Sequence, residues 1–400
     1  MTLEEALHYI HAVCWKGSIP GLERISALLD KMGHPERTLK FVHVTGTNGK
    51  GSTCAMVASV LRQAGYRTGL YTSPYIVRFN ERMQINGEMI PDDELCRITE
   101  EIKPLADSIF EQPTEFEMVT AIAFAWFARR KCDIVVCEVG MGGEFDATNV
   151  IGAPEAAVLC NIGLDHTEVL GDTLEKIAAT KSGIIKPGCD AVLYRSTDGV
   201  EAVVEQRCRE VGATLHKVDF TGLHLRSHSL EGQVFDFGGR EALHLPLLGE
   251  HQLHNAAVAL TTLDVLQKRG WQITEADIRR GLSHVTWPGR FQIIRRDPLF
   301  LIDGGHNPQC IQALAQNIAD YLPNRPLTVL TGVLSDKDYH CMYRSVADHA
   351  VEFITVTPDN PRALTAQELA KYLVSFGKPV TPCDTVADGV RLAIDHAGKD

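Results

Sequence analysis

The chain reads as an α/β protein built on a doubly wound, mostly parallel sheet, and three observations carry that reading. Short apolar runs of strand length alternate with longer stretches of helical periodicity over most of the sequence. One of those runs, Phe41 to Val44, passes straight into the glycine-rich turn Gly46-Thr47-Asn48-Gly49-Lys50-Gly51-Ser52 at the start of a helix. A fresh alternation begins after Trp287-Pro288-Gly289-Arg290 breaks the pattern. The predicted architecture is an N-terminal P-loop domain over 1–286 with a small β flap at 213–248, then a smaller Rossmann-like α/β domain over 287–400.

Residues 1 to 38 read as helical, with Ile25, Leu28, Leu29 and Met32 at helical spacing after the turn Pro20-Gly21. Cys54 to Ala64 repeats apolar residues at helical spacing and stops at Gly65. Strands are predicted at Thr68 to Tyr71, Asp133 to Glu138, Ala156 to Asn161 and Ala191 to Tyr194, with helices at Glu115 to Arg130 and Thr173 to Lys181. The flap is short and β-rich, its two runs around His224 and Gln233 followed by the turn Gly238-Gly239, which predicts antiparallel pairing. Helices follow at Asn255 to Arg269 and Glu275 to Leu282. In the second domain the prediction is strand Leu299 to Ile302, helix Gln309 to Tyr321, strand Leu327 to Leu330, helix His340 to His349, strand Glu352 to Thr357, and helices Ala366 to Phe376 and Val386 to His396.

Composition narrows the function. A chain of 400 residues with 44% hydrophobic and 22% charged residues can bury the cores of about two to three domains. A formal charge of −12 without a basic run argues against a nucleic-acid partner, so anionic ligands must be met by local positive groups. The eleven cysteines are scattered singly, with no CxxC pair, as reduced core thiols of a cytoplasmic protein would be. The N-terminus lacks a basic region followed by an apolar one, and no uncharged stretch reaches membrane-spanning length, so no membrane partner is expected.

The glycine-rich turn is the strongest chemical signal. Its backbone N–H groups can converge on an anion, the helix start adds partial positive charge, Lys50 meets outer phosphates and the Ser52 hydroxyl is a Mg²⁺ ligand. The spacing departs from the usual phosphate-loop pattern, with two residues between Gly46 and Gly49 and with Gly51 between lysine and serine. An ordinary glycine-rich βα turn is the plainer alternative. Glu138 ends an apolar strand, where it is either the carboxylate partner of that metal or a capping, salt-bridging glutamate. Asp165-His166 follows another strand, and the histidine is a ligand or a structural hydrogen bonder. Lys181 closes a helix, where a lysine favours the helix dipole; spacing alone assigns it nothing more. Asp303-Gly304-Gly305-His306-Asn307-Pro308 joins a strand to a helix and is partly plain turn architecture, though Asp303 and His306 face the sheet edge. Arg290 reaches phosphates or makes a rim salt bridge.

Together these motifs resemble the folylpolyglutamate synthase and dihydrofolate synthase family of Mur-type ligases, nearly end to end. Besides the turn, the resemblance rests on Tyr71 to Arg82, Thr114 to Glu117, Glu138 to Gly143, Asp146 to Asn149, Asn161 to His166, Lys181 to Ile184, His251-Gln252 and Asn255, Pro288 to Phe291, Asp303 to Pro308, Gly332 to Asp338 and Asn360 to Arg362. It implies that ATP phosphorylates the carboxylate of a pterin substrate and that the amine of L-glutamate then attacks the acyl phosphate. The acceptor is folate, dihydropteroate or both; the matches at Thr114 to Glu117 and Phe145 to Ala147 favour both.

Carried over by position, the resemblance implies ATP contacts at Thr47, Asn48, Gly49, Lys50, Gly51, Ser52, Asn255, Arg290 and Asp303, with His306 near the incoming glutamate. Ser52, Ser73 and Glu138 would hold one Mg²⁺, and His166 a second together with Lys181, carbamylated in this family. Lys50, Lys181, His166 and His306 would be the catalytic set, and Arg82, Phe116, Glu117, Phe145 and Asp146 the pterin site, in a cleft between domains. A cytoplasmic monomer is expected. Rival readings are a Mur-type ligase for another acid and amino acid, or a nucleotide-binding regulator without ligase activity. Glu144 stands where relatives commonly carry arginine, and Tyr75 where some carry histidine. Relatives also continue past the last helix into a further strand, so the C-terminal sheet is expected to lack it.

Overall fold

The computed structural model describes residues 1–13, 17 and 19–397; Cys14, one of the eleven cysteines, lies outside the described residues. The chain forms two compact units, one of 1–226, 234–246 and 252–287, the other of 227–233, 247–251 and 288–400.

The first unit begins with helices α1 (Leu3–His11) and α2 (Glu23–Lys31) and continues into strand β1 (Phe41–Thr45), helix α3 (Lys50–Gln63) and strand β2 (Thr68–Tyr71). A hairpin, β3 (Met83–Ile85) and β4 (Glu88–Met89), leads to α4 (Asp92–Asp107) and α5 (Glu115–Arg129). The sequence reading passes over both the hairpin and α4. Then come β5 (Ile134–Glu138), β6 (Ala156–Leu159), α6 (Thr167–Leu170), α7 (Leu174–Ser182), β7 (Asp190–Leu193), α8 (Asp198–Val211) and β8 (Thr214–Lys217). The eight strands make one sheet in the order β4-β3-β2-β5-β1-β6-β7-β8. All its pairings are parallel except at the β3 hairpin edge. β1 is central and fully buried, and the chain winds away from it in both directions, so the C-terminal end of β1 is a topological switch point.

One layer of core, including Ile25, Leu28, Phe124 and Phe127, joins α1, α2, α4 and α5 to β1, β2 and β5. A second cluster under β6 and β7 contains Leu159, Ile184, Ile185, Leu193 and Val204. Residues 214–217 belong to the large sheet, with Leu215 paired to Ala191, and not to the flap. The flap proper is a three-stranded sheet of β9 (His224–Ser229), β10 (Gly232–Phe237) and β11 (Arg240–Leu245), joined by two-residue turns as antiparallel neighbours are. Helices α9 (Glu250–Lys268) and α10 (Glu275–Ser283) follow, α10 packing on α3.

The second unit holds β12 (Gln292–Arg296), β13 (Leu299–Ile302), α11 (Pro308–Tyr321), β14 (Leu327–Thr331), α12 (Tyr339–Ala347), β15 (Ala350–Thr355), α13 (Ala366–Leu373), β16 (Val380–Pro382) and α14 (Val386–His396). β14, β15 and β16 form a parallel sheet with α12 and α13 as crossovers. Leu299 to Ile302 differs from expectation: it pairs antiparallel with β12 in a separate ribbon. The strand of Gln292 to Arg296 supplies the hydrogen-bond partners that the parallel reading assigned to the other sheet.

Candidate active site

At the C-terminal end of β1 the chain turns through Gly46 to Gly49 into α3. The amides of Thr47 and Asn48 donate to Asn161 O at 2.7 and 3.4 Å, and the Thr47 hydroxyl donates to Gly163 O at 2.9 Å, which ties the turn to the segment after β6. Gly49 is the N-cap residue in the left-handed region (φ 86), and α3 carries no side-chain cap. Gly49 thus offers no side-chain oxygen to the first amides of this 14-residue helix, which suits an anion at its start. Gly51 has a packing reason: a Cβ there would lie 2.7 Å from the Trp287 ring. Gly49 likewise faces Asn255, whose amide donates to Gln252 Oε1 at 3.2 Å. The departure from the usual phosphate-loop spacing thus coincides with a tryptophan lying against the first turn of α3.

Two lysines meet at this turn. Lys50 Nζ donates to Gly46 O at 3.1 Å and to Thr47 O at 3.2 Å, and Lys181 Nζ donates to the same Gly46 O at 3.0 Å. Lys181 lies at the end of α7 and is 3% exposed. Burial, reinforced by the charge of Lys50, lowers its amine from the ordinary 10.5 to about 7. Near neutral pH a large share of that amine is uncharged and nucleophilic.

Glu138, at the end of β5 and paired in register with Val44, is 4% exposed and accepts from Ser73 N at 3.3 Å. Ser52 is equally buried, in the first turn of α3. Among the described residues no group of three His, Cys, Asp or Glu side chains gathers for a metal. A single carboxylate with hydroxyls is nevertheless the oxygen donor set of a Mg²⁺ that takes its other ligands from phosphates and water, so Glu138, Ser52 and Ser73 fit that ion. His166 is half exposed (50%) with a left-handed backbone, its ring within 4.0 Å of Asp165.

The next group lies around the ends of β2 and β5. Phe116, in the first turn of α5, sits 6.0 Å from the Tyr71 ring and against Gly140, where a Cβ would come within 2.6 Å of Phe116 and 3.2 Å of Asp146 Oδ2. Asp146 accepts from Met141 N at 2.9 Å and from Thr148 N at 3.0 Å; burial nonetheless pushes its carboxyl up. Arg82 lies over the Tyr75 and Phe79 rings at 5.3 and 5.5 Å, 3.8 Å from Glu115, and its buried Nε has no hydrogen-bond partner. Phe145 is 53% exposed, and Glu144 beside it is exposed with its backbone N–H on Thr180 O. Glu117 is placed apart. It closes the capping box of α5 with Thr114 and pairs with Arg24 at 3.0 Å, so its carboxylate is engaged by the protein.

In the second unit Asp303 accepts from Phe291 N at 2.9 Å and Gly305 N at 2.7 Å, and burial pushes its carboxyl up against the pull of Arg290 and His306. His306 Nδ1 lies 3.1 Å from Gly304 O, and Asn307 caps α11. The described cysteines are free thiols, most of them buried. No helix among the described residues is long and apolar enough to cross a membrane. Sequence reasoning missed that the Asn161 carbonyl holds the loop, that Trp287 is the partner of Gly51, and that His43 and Thr148 pair behind Asp146. A histidine inside the otherwise apolar run Phe41 to Val44 was the available signal for the last.

Comparisons with known proteins give the family and the fold. The Mur ligase middle domain matches residues 44–263, and the Mur ligase glutamate ligase domain matches 289–400. The chain is 36% identical over 384 residues to the dihydrofolate synthase/folylpolyglutamate synthase of Bacillus subtilis, covering 92% of this chain and 87% of that one. The folylpolyglutamate synthase of Mycobacterium tuberculosis complexed with ADP superposes with a TM-score of 0.91 at 33% identity, over 98% of this chain and 90% of that one. FolC of E. coli in complex with DHPP and ADP gives 0.88 at 30% identity, over 100% and 93%.

Proposed function

From the premise that this chain belongs to the folylpolyglutamate synthase and dihydrofolate synthase family of Mur ligases, we propose how its residues divide the work of an ATP-dependent folate–glutamate ligase. The reaction joins L-glutamate to a folate or dihydropteroate carboxylate through an acyl phosphate. A carboxylate oxygen takes the γ-phosphoryl group and ADP leaves; the glutamate amine then attacks the acyl carbon and expels phosphate.

The observation that carries the assignment is the uncapped start of α3 with Lys50 and Lys181 both on Gly46 O. Two amines on one carbonyl cannot both be charged without repulsion, which a polyphosphate or the loss of the Lys181 proton relieves. Thr47, Asn48 and Gly49 shape the turn, the α3 amides of Lys50, Gly51 and Ser52 face the phosphates, and Lys50 neutralises the transferring group. Asn255 supports the turn from α9. In their own unit, Arg290 and Asp303 are proposed nucleotide contacts and His306 a contact of the incoming glutamate.

Mg²⁺ would be held by Ser52, Ser73 and Glu138, a second by His166 with Lys181, and would supply charge neutralisation on the phosphates. Lys181 is suited to carbamylation because its amine is buried and depressed: carbon dioxide adds to the neutral nitrogen, which loses a proton and gains an anionic oxygen ligand. Phe116, Asp146, Arg82 and Phe145 are proposed to hold the pterin, with Glu117 supporting the helix that presents Phe116. We propose that both dihydropteroate and reduced folate are accepted, by likeness to the two-activity Bacillus subtilis relative. Residues 1–286 and 287–400 are proposed as the functional domains. The free thiols suit a cytoplasmic setting, and a monomer is the proposed assembly, which sedimentation tests.

Steady-state phosphate release with dihydropteroate and with tetrahydrofolate, each with and without L-glutamate, tests the proposal. Glutamate-dependent release with both acceptors is expected. Release with neither overturns the folate reading, and release with only one restricts it to that acceptor.

A further inference from the structure

Behind the proposed pterin contacts lies a line of buried polar groups that the chemistry above does not use. His43 lies inside β1 without exposed surface, and its Nε2 is 2.8 Å from Thr148 Oγ1. Thr148, also without exposed surface, places the same Oγ1 2.5 Å from Asp146 Oδ1. Asp146 is the only one of the three with any exposure, 7%, so it is the end that a ligand can reach. At the other end, His43 Nδ1 is buried with no hydrogen-bond partner.

A hydroxyl carries one proton, and this fixes the direction of the line. If Asp146 is a carboxylate it can only accept, so the Thr148 proton points at Oδ1 and Thr148 Oγ1 must accept from His43 Nε2–H. The Met141 and Thr148 amides already donate to the same carboxylate, which suits the anion. The opposite direction needs a protonated Asp146 donating to Thr148 and Thr148 donating to Nε2. It moves the histidine proton to Nδ1, where a buried donor would find no acceptor. Burial, joined by the charge of Lys186, keeps the His43 ring neutral, lowering it to about 3; Lys186 is itself held in place. Its ammonium donates to Asn149 O at 2.7 Å and to Ile151 O, which pins the end of the 3-10 turn Ala147–Val150 that Asp146 caps.

We propose that His43, as the Nε2–H tautomer, and Thr148 are positioning residues that hold Asp146 as an anionic acceptor for the N–H donors of a pterin-type heterocycle. The proposal rests on the reading of Asp146 as a substrate contact. It assigns neither residue to the phosphate chemistry, so its effects fall on the acceptor and not on ATP.

Two measurements test it. In ¹⁵N-labelled wild-type protein, long-range proton–nitrogen correlations should show His43 protonated at Nε2 and bare at Nδ1, unchanged between about pH 6 and 8, where an ordinary histidine titrates. A proton on Nδ1 overturns the proposal whatever the variants do. In kinetics, Thr148→Val should raise KM for the pterin acceptor about tenfold, the scale of one lost buried hydrogen bond to a charged group, with KM for ATP unchanged. Thr148→Ser should restore it. Asp146→Asn separates the two ideas. An unchanged acceptor KM in that variant overturns the assignment of Asp146 itself, whereas a raised KM there beside an unchanged one in Thr148→Val overturns the relay alone.

Discussion

The two edges of the eight-stranded sheet treat charge in opposite ways. At the edge where the parallel strands begin, each charge named finds its opposite in the protein: Arg269 pairs with Glu155 at 3.0 Å and Asp190 at 2.9 Å, and Lys40 lies 3.5 Å from Glu155. At the edge where they end, Lys50 and Lys181 crowd one carbonyl, and Asp146 is buried among amides and a hydroxyl. Charges paired within the protein are spent on the fold. Charges held in place by carbonyls, amides and hydroxyls can be met by a ligand, and burying them carries a cost that functional sites commonly bear.

That contrast is broken most directly by Lys50→Ala. Turnover should fall about 10²- to 10³-fold, the scale of a lost electrostatic stabiliser, while the unfolding temperature stays within a few degrees of wild type. Retained turnover would remove Lys50 from the phosphates.

Lys181→Ala should also be severely impaired but partly rescued by added short carboxylates, which would stand in for the oxygens of the proposed carbamate; near-normal activity without rescue would take it out of the site. In protein kept free of carbon dioxide, where the amine is unmodified, the same lysine predicts a stability slope. Its folded value of about 7 lies below the ordinary 10.5, so the folded protein binds fewer protons between them. Its contribution to stability is complete above 10.5 and lost as pH falls to about 7, and Lys181→Met should flatten the pH dependence of unfolding across that window.

A smaller effect is expected from Gly51→Ala. The new methyl meets the Trp287 ring, an overpacking worth about 1–3 kcal/mol, so KM for ATP should rise and unfolding occur earlier. The smallest belongs to the other edge: Arg269→Ala should cost up to about 1 kcal/mol in denaturant unfolding and leave kcat unchanged.

The strands that form the ligand edge were legible because each is a fully buried apolar run that ends in a polar residue, as Phe41 to Thr45 and Ile134 to Glu138 do. Helix α4 was passed over although Leu95, Ile98 and Ile102 sit at helical spacing behind Pro91; its acidic first turn and internal Pro104 mask the pattern. β8 could not be placed from its own residues. Thr214 to Lys217 is largely exposed and has no apolar alternation, and only pairing with β7 assigns it to the sheet. Leu299 to Ile302 looked like a core parallel strand, yet its partners are supplied by β12, whose Ile293 and Ile294 are followed by two exposed arginines. At the candidate site, the glycine-rich turn pointed to Lys50 and a strand end to Glu138, whereas Lys181 was singled out by the resemblance alone; the His43–Thr148–Asp146 line joins positions far apart in the chain and only the fold brings them together.

Calorimetric titration of a non-hydrolysable ATP analogue into Lys50→Ala and Arg269→Ala, alongside their unfolding temperatures, tests the contrast most directly. Analogue affinity should be lost in Lys50→Ala with the fold intact, and should be unchanged in Arg269→Ala with stability lowered. Full affinity in Lys50→Ala, or equal loss in both, would contradict it.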